Sequence, residues 1–202
     1  DPEAFKTHVT ELMASMPRND SDLDRVFLGE FRSLGTGERL TRWRQNRSAL
    51  AAAAGGLEND SRVVWYGPSM GSKSFLTARL MECWAHGQDV VDAVGASREL
   101  TDRIRHIAQL GFITRGWTYI NRGLDVPEAP IRVELQSPSG ETWTFGPETA
   151  TESVMGSAEE FCLVVTQRRN VHNTALEVSP LALDWLEKAQ AFAGAATDPP
   201  AR

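Results

Sequence analysis

The fold and the chemistry predicted for this chain depend on one stretch of sequence, RLMECWAHGQD at residues 79–89. The stretch is typical of a helix, in which residues four positions apart lie on the same face. Glu82 and His86 are four apart, so we expect their side chains to point the same way. A carboxylate and an imidazole one turn apart are two ligands of a divalent-metal site, most consistent with zinc. Asp89 falls close to the same face, where it could orient His86.

Composition and charge narrow the class of protein. The 202 residues are 41% hydrophobic and 24% charged, with a net charge of −6, which is ordinary for one large or two small globular domains. The acidic balance argues against a nucleic-acid surface, and no apolar run approaches the ~20 residues of a membrane span. Cys83 and Cys162 are predicted to be reduced core residues, which favours the cytoplasm. Because the chain opens at Asp1 without an initiator Met, we expect that an N-terminal segment is missing.

Apolar periodicity and breaker residues predict two regions of different character. The first is helical, with helices predicted at 3–16, 21–34, 38–54, 72–94 and 101–119. Residues 125–130, with two prolines, indicate a linker. Beyond the linker we predict strands at 131–135, 141–145 and 174–178, of which the first two form a hairpin, and helices at 158–166 and 181–192. Ser157 with Glu160 three residues later predicts a capping box at the start of the 158–166 helix.

The long helix at 72–94 has two predicted faces. One is expected to lie in the core and consists of Leu76, Leu80, Cys83, Gly87, Val91 and Val94. The other carries the charged or polar residues Glu82, His86 and Asp89. On a bundle helix such a face is normally apolar and shielded from water. Helices followed by a strand–helix unit predict the α+β class, with an up-down helix bundle at 1–124 and a small α/β C-terminal domain at 130–194.

A third metal ligand is harder to find in the sequence. His106 lies on the next predicted helix, where a hydrogen bond to a neighbouring helix is the simpler expectation. His8 and His172 fall in short or loop-like segments and are predicted to be exposed. Because catalytic zinc usually takes three protein ligands, we expect the third ligand to lie outside this chain.

Several motifs together resemble the mycothiol-dependent maleylpyruvate isomerase family of the DinB-like metalloenzyme superfamily, and more narrowly an uncharacterised actinobacterial branch of it. The resemblance covers about Leu40 to Gly194, and its most specific part is the Glu-x-x-x-His helix. The motifs are Trp65–Met70, Phe75–Arg79, Glu82–Asp89, Thr101–His106, Gly140–Trp143, Gly146–Glu148 and Thr166–Arg169.

The resemblance implies a DinB-like four-helix bundle that holds one divalent metal, usually zinc, through Glu82, His86 and a histidine of an early helix. We expect that early histidine to be absent from this sequence. The resemblance also implies a catalytic part for arginines of the C-terminal domain, here Arg168 and Arg169, in handling the thiol cofactor or the substrate. The alternative for both arginines is a pair of surface cations at a helix C-terminus.

The implied activity is transfer of a low-molecular-weight thiol, mycothiol, to an electrophilic small molecule, or isomerisation of that molecule. The main alternative is a non-catalytic metal- or small-ligand-binding protein of the same fold. Two weaker alternatives are a carrier of apolar ligands and action on modified tRNA bases, since the C-terminal region has some similarity to a wyosine-formation domain. The predicted partners are thus small molecules, with no nucleic acid and no membrane. An exposed apolar face would also allow the chain to form a homodimer.

Overall fold

The computed structural model describes residues 2–14, 28–65 and 69–201. The chain divides into two compact units, Asp1–Leu76 and Thr77–Arg202. The linker predicted at 125–130 has no helix or strand and lies within the second unit. The domain boundary predicted there stays a prediction. No helix in the described part of the chain is long and apolar enough to cross a membrane.

The first unit is mainly helical. It contains helix α1 (Pro2–Ala14), a helical segment at 28–33, helix α2 (Thr36–Gly55) and the antiparallel strands β1 (Arg62–Val63) and β2 (Met70–Gly71). The helices predicted at 3–16 and 38–54 are confirmed within the described residues. The start of the helix predicted at 21–34 lies outside the described residues. None of the residues of α2 is buried.

Helix α3 (Ser72–Val94) has the bounds predicted from its apolar spacing. The helix predicted at 101–119 is divided into a 3-10 turn (Asp102–Ile104), α4 (Arg105–Ile113) and α5 (Arg115–Ile120). The interruption falls at Thr114, whose hydroxyl donates to the backbone oxygen of Leu110. A threonine that bonds its own preceding turn in this way disturbs helix geometry.

A four-stranded sheet and two helices complete the second unit. Its elements are β3 (Ile131–Gln136), β4 (Thr142–Phe145), β5 (Glu152–Ser157), α6 (Ala158–Val165), a 3-10 turn (Val171–Asn173), β6 (Glu177–Val178) and α7 (Pro180–Leu186). The strand order is β4-β3-β5-β6, with β3 and β5 parallel and the other pairs antiparallel. The predicted β3–β4 hairpin is therefore confirmed, and so is the α+β class. The up-down bundle stays a prediction.

Two predicted elements of the second unit are shorter than expected, and one strand was not predicted. The strand predicted at 174–178 is reduced to β6, and the helix predicted at 181–192 ends at Leu186. Strand β5 was missed because Ser153, Gly156 and Ser157 give it no apolar alternation. It nevertheless lies between β3 and β6, where its Val154 is completely buried.

The core face predicted for α3 is correct only in part, since Leu80 packs against the core but other members of that face do not. Cys83 is exposed and Val94 is 69% exposed. Met81 and Ala85 are the apolar residues of α3 that are buried, and Gln88 is buried beside them. The buried stripe is thus displaced around the helix from the predicted one.

The hydrophobic core of the second unit lies between the sheet and α4, α6 and α7. Phe161 and Trp185 meet edge to face in it, with ring centroids 5.8 Å apart. Cys162, on α6, is fully buried as a free thiol, as predicted, and burial raises the pKa of this thiol far above its ordinary value. The other cysteine, Cys83, is free but exposed, so the prediction that both cysteines are core residues holds only for Cys162.

Candidate functional site

Glu82 and His86 converge on α3 as their spacing predicts. Oε2 of Glu82 lies 3.4 Å from Nε2 of His86, one helical turn further on. The Glu82 side chain is 35% exposed and the His86 side chain 69% exposed, so the pair opens toward solvent. The two side chains therefore form one exposed pair of potential metal donors.

The other nitrogen of the His86 ring is held by Asp89. Nδ1 of His86 lies 3.0 Å from Oδ2 of Asp89. With its proton on Nδ1 the ring donates to Asp89, whereas with its proton on Nε2 it accepts at Nδ1 from Nη2 of Arg168, which lies 3.3 Å away. A carboxylate that bonds the second nitrogen of a metal-binding histidine fixes its tautomer and the direction of its ring. The predicted orienting position of Asp89 is what the structure shows.

Asp89 is fixed in turn by Arg168, which is 79 residues away in the chain. Nε of Arg168 donates to Oδ1 of Asp89 at 3.0 Å, and Nη2 donates to Oδ2 at 2.8 Å. Such paired, charge-assisted hydrogen bonds are strong and directional. The Arg168 guanidinium, followed by His86, holds the pKa of Asp89 below its ordinary value, and partial burial opposes this effect.

The tautomer with its proton on Nδ1 has an electrostatic conflict at Nε2 of His86. With the proton on Nδ1, a neutral imidazole presents a lone pair at Nε2. That lone pair faces the carboxylate oxygen of Glu82 at 3.4 Å, so two acceptors oppose each other. A cation between them removes the conflict, and this cation is either a second ring proton or a metal ion.

The pair has the dimensions that a metal ion requires. A tetrahedral zinc ion with bonds of about 2.1 Å holds two of its donors about 3.4 Å apart. Glu82 and His86 therefore fit two positions of a divalent cation's coordination shell. Among the described residues, however, no group of three or more His, Cys, Asp and Glu side chains is arranged to hold a metal. His106 is exposed on α4, and the hydrogen bond to a neighbouring helix expected for its side chain stays a prediction.

The position of Arg168 depends on how α6 ends. Gln167 has a left-handed backbone with φ of 59°, and the amide nitrogens of Gln167 and Arg168 donate to the carbonyls of Val164 and Leu163. This is the Schellman pattern of helix termination, in which glycine usually occupies the left-handed position. Here the glutamine side chain has a further use, because its Nε2 donates to the carbonyls of Ala189 and Thr197.

Arg169, the second predicted arginine, is paired elsewhere on α3. Its Nη1 and Nη2 donate to Asp92 at 3.0 and 3.2 Å. Gln88 also donates to Asp92, and the hydrogen bond from Arg169 is the largest cause of the lowered pKa of Asp92. The turn after α6 therefore contacts α3 through two arginine–aspartate pairs.

A cavity of about 320 Å³ brings most of these groups together. It is lined by Met81, Glu82, Ala85, His86, Thr166, Arg168, Phe192 and Ala193. Glu82, His86 and Arg168 thus share one cavity, whereas Arg169 is not among the described residues that line it. We term this the Glu82–His86 cavity.

Sequence reasoning missed the C-terminal contribution to this cavity. Phe192 was predicted to end the last helix, and Ala193 was assigned no part in the site. They reach the cavity because the chain turns back after α7, where the amide of Ala191 donates to the carbonyl of Val165 at 2.9 Å. No periodic pattern in the sequence signals this return.

Comparison with known proteins identifies relatives of the chain. A family model described as the mycothiol maleylpyruvate isomerase N-terminal domain matches residues 1–91, and one described as wyosine base formation matches residues 127–177. Uncharacterised proteins from two strains of Mycobacterium tuberculosis are each 43% identical over 195 residues, which cover 95% of this chain and 74% of theirs. No solved structure matches the chain.

The chain belongs to the mycothiol maleylpyruvate isomerase family, within a group of uncharacterised actinobacterial proteins. The matched N-terminal domain contains Glu82 and His86, and membership suggests an enzymatic function related to mycothiol. The similarity of the C-terminal region to a wyosine-formation domain is also confirmed.

Proposed function

We propose that the Glu82–His86 cavity is the centre of a divalent-metal-dependent enzyme. The enzyme would use mycothiol for thiol transfer to, or isomerisation of, an electrophilic small molecule. The observation that carries this proposal is the 3.4 Å approach of two potential metal ligands, Oε2 of Glu82 and Nε2 of His86. With the imidazole proton on Nδ1, that approach is favourable only with a cation present, and the resemblance of the Glu-x-x-x-His helix to metal-binding proteins of the family favours a metal ion over a proton.

Glu82 and His86 would supply two protein donors to the metal. When bound, a divalent ion such as zinc supplies a Lewis acid that keeps a thiol in its nucleophilic thiolate form. Asp89 would keep the proton of His86 on Nδ1 and so leave the lone pair of Nε2 available to the metal. The third protein donor is expected outside the described set of residues.

Arg168 would have a positioning part and an electrostatic part. Its Nε–Nη2 edge is occupied by Asp89, so the arginine acts on His86 through that carboxylate. The same guanidinium lines the cavity beside Met81, Ala85 and Phe192. A fixed positive charge next to an apolar surface suits an electrophile that carries a carboxylate or develops an enolate. Arg169 would contribute only indirectly, by holding the turn against Asp92.

Chemistry on a small molecule is favoured over action on tRNA by the pairing of the basic residues. Within the region similar to the wyosine-formation family, Arg132 contacts Glu134, Arg168 contacts Asp89 and Arg169 contacts Asp92. Phosphate binding requires cations that are free to replace counter-ions. The arginines of this region are already neutralised by neighbouring carboxylates.

The first test measures bound zinc per chain by mass spectrometry in Glu82→Ala and His86→Ala variants of the full-length protein. His106→Ala and Glu141→Ala are matched controls, since both residues are exposed and neither lines the cavity. We expect loss of zinc in the first two variants and normal content in the controls. Unchanged zinc in both cavity variants would remove the ligand assignment.

The second test addresses the thiol. Calorimetry with mycothiol is expected to show saturable binding to the zinc-loaded protein and about tenfold or weaker binding to the His86→Ala variant. Equal affinities of the two proteins for mycothiol would show that the thiol does not bind at the Glu82–His86 metal site. That result would favour a non-catalytic binding protein.

A further inference from the structure

The return of the chain after α7 forms an apolar wall of the Glu82–His86 cavity. This wall consists of Phe192, which is partly exposed and packs against the core, and Ala193, which is exposed. Met81 and Ala85, the other apolar residues of the described lining, are only 3% and 4% exposed. A ligand in the cavity therefore meets apolar surface chiefly at Phe192 and Ala193.

Side chains of α5 and of the residue that follows it hold this wall in place. Nε1 of Trp117 donates to the carbonyl oxygen of Phe192 at 3.3 Å. Nδ2 of Asn121 donates to the carbonyl oxygen of Gly194 at 3.1 Å. These hydrogen bonds use the backbone of the return and not the ring of Phe192. A substitution of Phe192 therefore changes the surface of the cavity while the bonds that position the chain remain possible.

The charged side of the cavity is poorly equipped to bind carboxylates. Arg168 is the only arginine or lysine among the described residues that line it. Its Nε and Nη2 donate to Asp89, and its Nη1 donates to the carbonyl oxygen of Thr166 at 2.6 Å. All three nitrogens of the guanidinium are therefore engaged. The paired edge that would grip a carboxylate of a ligand is already occupied by Asp89.

The balance of charge in the cavity also disfavours a ligand with two carboxylates. Glu82 contributes a negative charge to the lining, and the positive charge of Arg168 is offset by Asp89. At the proposed metal centre, Glu82 and a bound thiolate would offset the two positive charges of a divalent ion. A dicarboxylate would then bring negative charge without a partner next to the apolar wall, which is costly.

We infer that the electrophile of this cavity is a neutral α,β-unsaturated carbonyl compound with an apolar group on its β-carbon, and that Phe192 selects it by packing on that group. The inference rests on the proposed function. A volume of about 320 Å³ admits an electrophile with a single ring or a short chain. Phe192 is thus a specificity-determining residue, and it acts on the part of the molecule that does not react.

The reaction of such a molecule with a thiol needs no further reactant. The sulfur forms a bond to the β-carbon, and the electron pair of the carbon–carbon double bond moves toward the carbonyl oxygen to give an enolate. The α-carbon then takes up one proton, which replaces the proton that the thiol has lost. The positive charge of Arg168 lies in the same lining, where it favours the enolate over the neutral carbonyl compound.

The test measures the binding of unreactive analogues to the full chain by calorimetry. Benzylacetone is a neutral ketone with a phenyl group, butanone lacks that group, and succinate carries two carboxylates. We expect saturable binding of benzylacetone, and at least about tenfold weaker binding of butanone because it buries no ring. Succinate should also bind at least about tenfold more weakly than benzylacetone, because its charges find no free partner in the cavity.

Variants of Phe192 test whether this residue causes the preference. Phe192→Ala should weaken benzylacetone binding at least about tenfold and change butanone binding little, so the preference for the phenyl group is lost. Phe192→Leu keeps an apolar side chain and should retain the affinity for benzylacetone to within about threefold. Met155→Ala is the matched control, because Met155 is a large apolar residue of β5 that is 40% exposed and does not line the cavity. It should bind both ketones as the wild type does.

The outcomes distinguish this inference from the proposed function. Absence of saturable benzylacetone binding, equal or tighter binding of succinate, or an unchanged preference in Phe192→Ala would overturn the inference and leave the metal and thiol assignments standing. The comparison of ligands on the wild type decides the question even if Phe192→Ala fails to fold. Benzylacetone binding by a protein that binds neither zinc nor mycothiol would overturn the proposed function, and the reaction inferred from it would be overturned as well.

Discussion

Arg168 holds Asp89 through two hydrogen bonds, from Nε to Oδ1 at 3.0 Å and from Nη2 to Oδ2 at 2.8 Å. Oδ2 of Asp89 in turn lies 3.0 Å from Nδ1 of His86, within hydrogen-bond distance. A residue of the turn after α6 therefore controls the direction of an imidazole on α3. The arginine would affect the proposed metal only through Asp89 and His86. Its effect on metal affinity can therefore be measured separately from that of the two ligands.

Loss of the Arg168–Asp89 link should weaken metal binding without abolishing it. We expect Arg168→Lys and Asp89→Asn each to raise the zinc dissociation constant about 10–100-fold, because groups that orient a metal-binding histidine typically contribute this much. Competition with a chromogenic chelator measures the constant. Arg169→Lys is the matched control, since Arg169 makes the same kind of pair with Asp92. An equal effect in the control would show that the turn, rather than Asp89, matters.

The lowered pKa of Asp89 predicts a pH dependence of stability. Its folded-state pKa lies below the ordinary value of 3.8, chiefly because of Arg168. The ionised group therefore stabilises the folded state above that ordinary value, and the stabilisation is lost as the pH falls through the lowered pKa. The difference in free energy of unfolding between wild type and Asp89→Asn should be largest near neutrality and shrink below about pH 4. Urea denaturation from pH 7 to pH 2.5 measures this, and a difference independent of pH would contradict it.

Gln167 should have two opposing effects on the free energy of unfolding, and two substitutions can separate them. Its left-handed backbone costs about 1–2 kcal/mol for a residue with a side chain, whereas glycine adopts it freely. Gln167→Gly removes this cost but also the hydrogen bonds to Ala189 and Thr197. Gln167→Ala removes the hydrogen bonds and keeps the cost, so it should be less stable than the glycine variant by about 1 kcal/mol. Equal unfolding free energies for the two variants would show that the left-handed backbone at residue 167 costs no free energy.

Gly111 should not tolerate a side chain. A Cβ there would lie 2.7 Å from Cγ2 of Val165, which is buried on α6. We expect Gly111→Ala to destabilise the protein by about 1–2 kcal/mol, because overpacking outweighs the better helix propensity of alanine. Gly116→Ala is the control, since the nearest atom, Cγ1 of Val126, is 4.0 Å away. The control should be neutral or more stable by up to about 1 kcal/mol in thermal unfolding. Destabilisation of both variants to the same degree would show that the contact with Val165 is not the cause.

Local patterns predicted the elements whose residues interact within a few positions. The bounds of α3 follow from its apolar spacing and from Gly95, which has a φ of 62° just after the helix. The approach of Glu82 to His86 follows from the four-residue repeat of a helix. The capping box predicted at Ser157 is only half correct: Ser157 accepts from Glu159, but Glu160 instead accepts from the distant amide of Ala175.

Features that depend on distant residues could not be predicted in the same way. The Arg168–Asp89 pair joins positions 79 apart in the chain. The residues around Arg168 do not indicate Asp89 as its partner, and those around Asp89 do not indicate Arg168. The parallel pairing of β3 with β5 sets Ile131 opposite Glu152, and β5 has little β-pattern of its own. Tertiary contacts decide such elements, as they decided which face of α3 is buried.

The different environments of the two cysteines make the protein suitable for selective labelling. Cys162 is inaccessible and its pKa is raised, so a maleimide reagent at neutral pH should modify Cys83 alone. A fluorophore attached there would sit on the same helix as Glu82, at the next residue of the chain. The protein therefore offers one reactive thiol on α3 for an optical probe without any engineered cysteine.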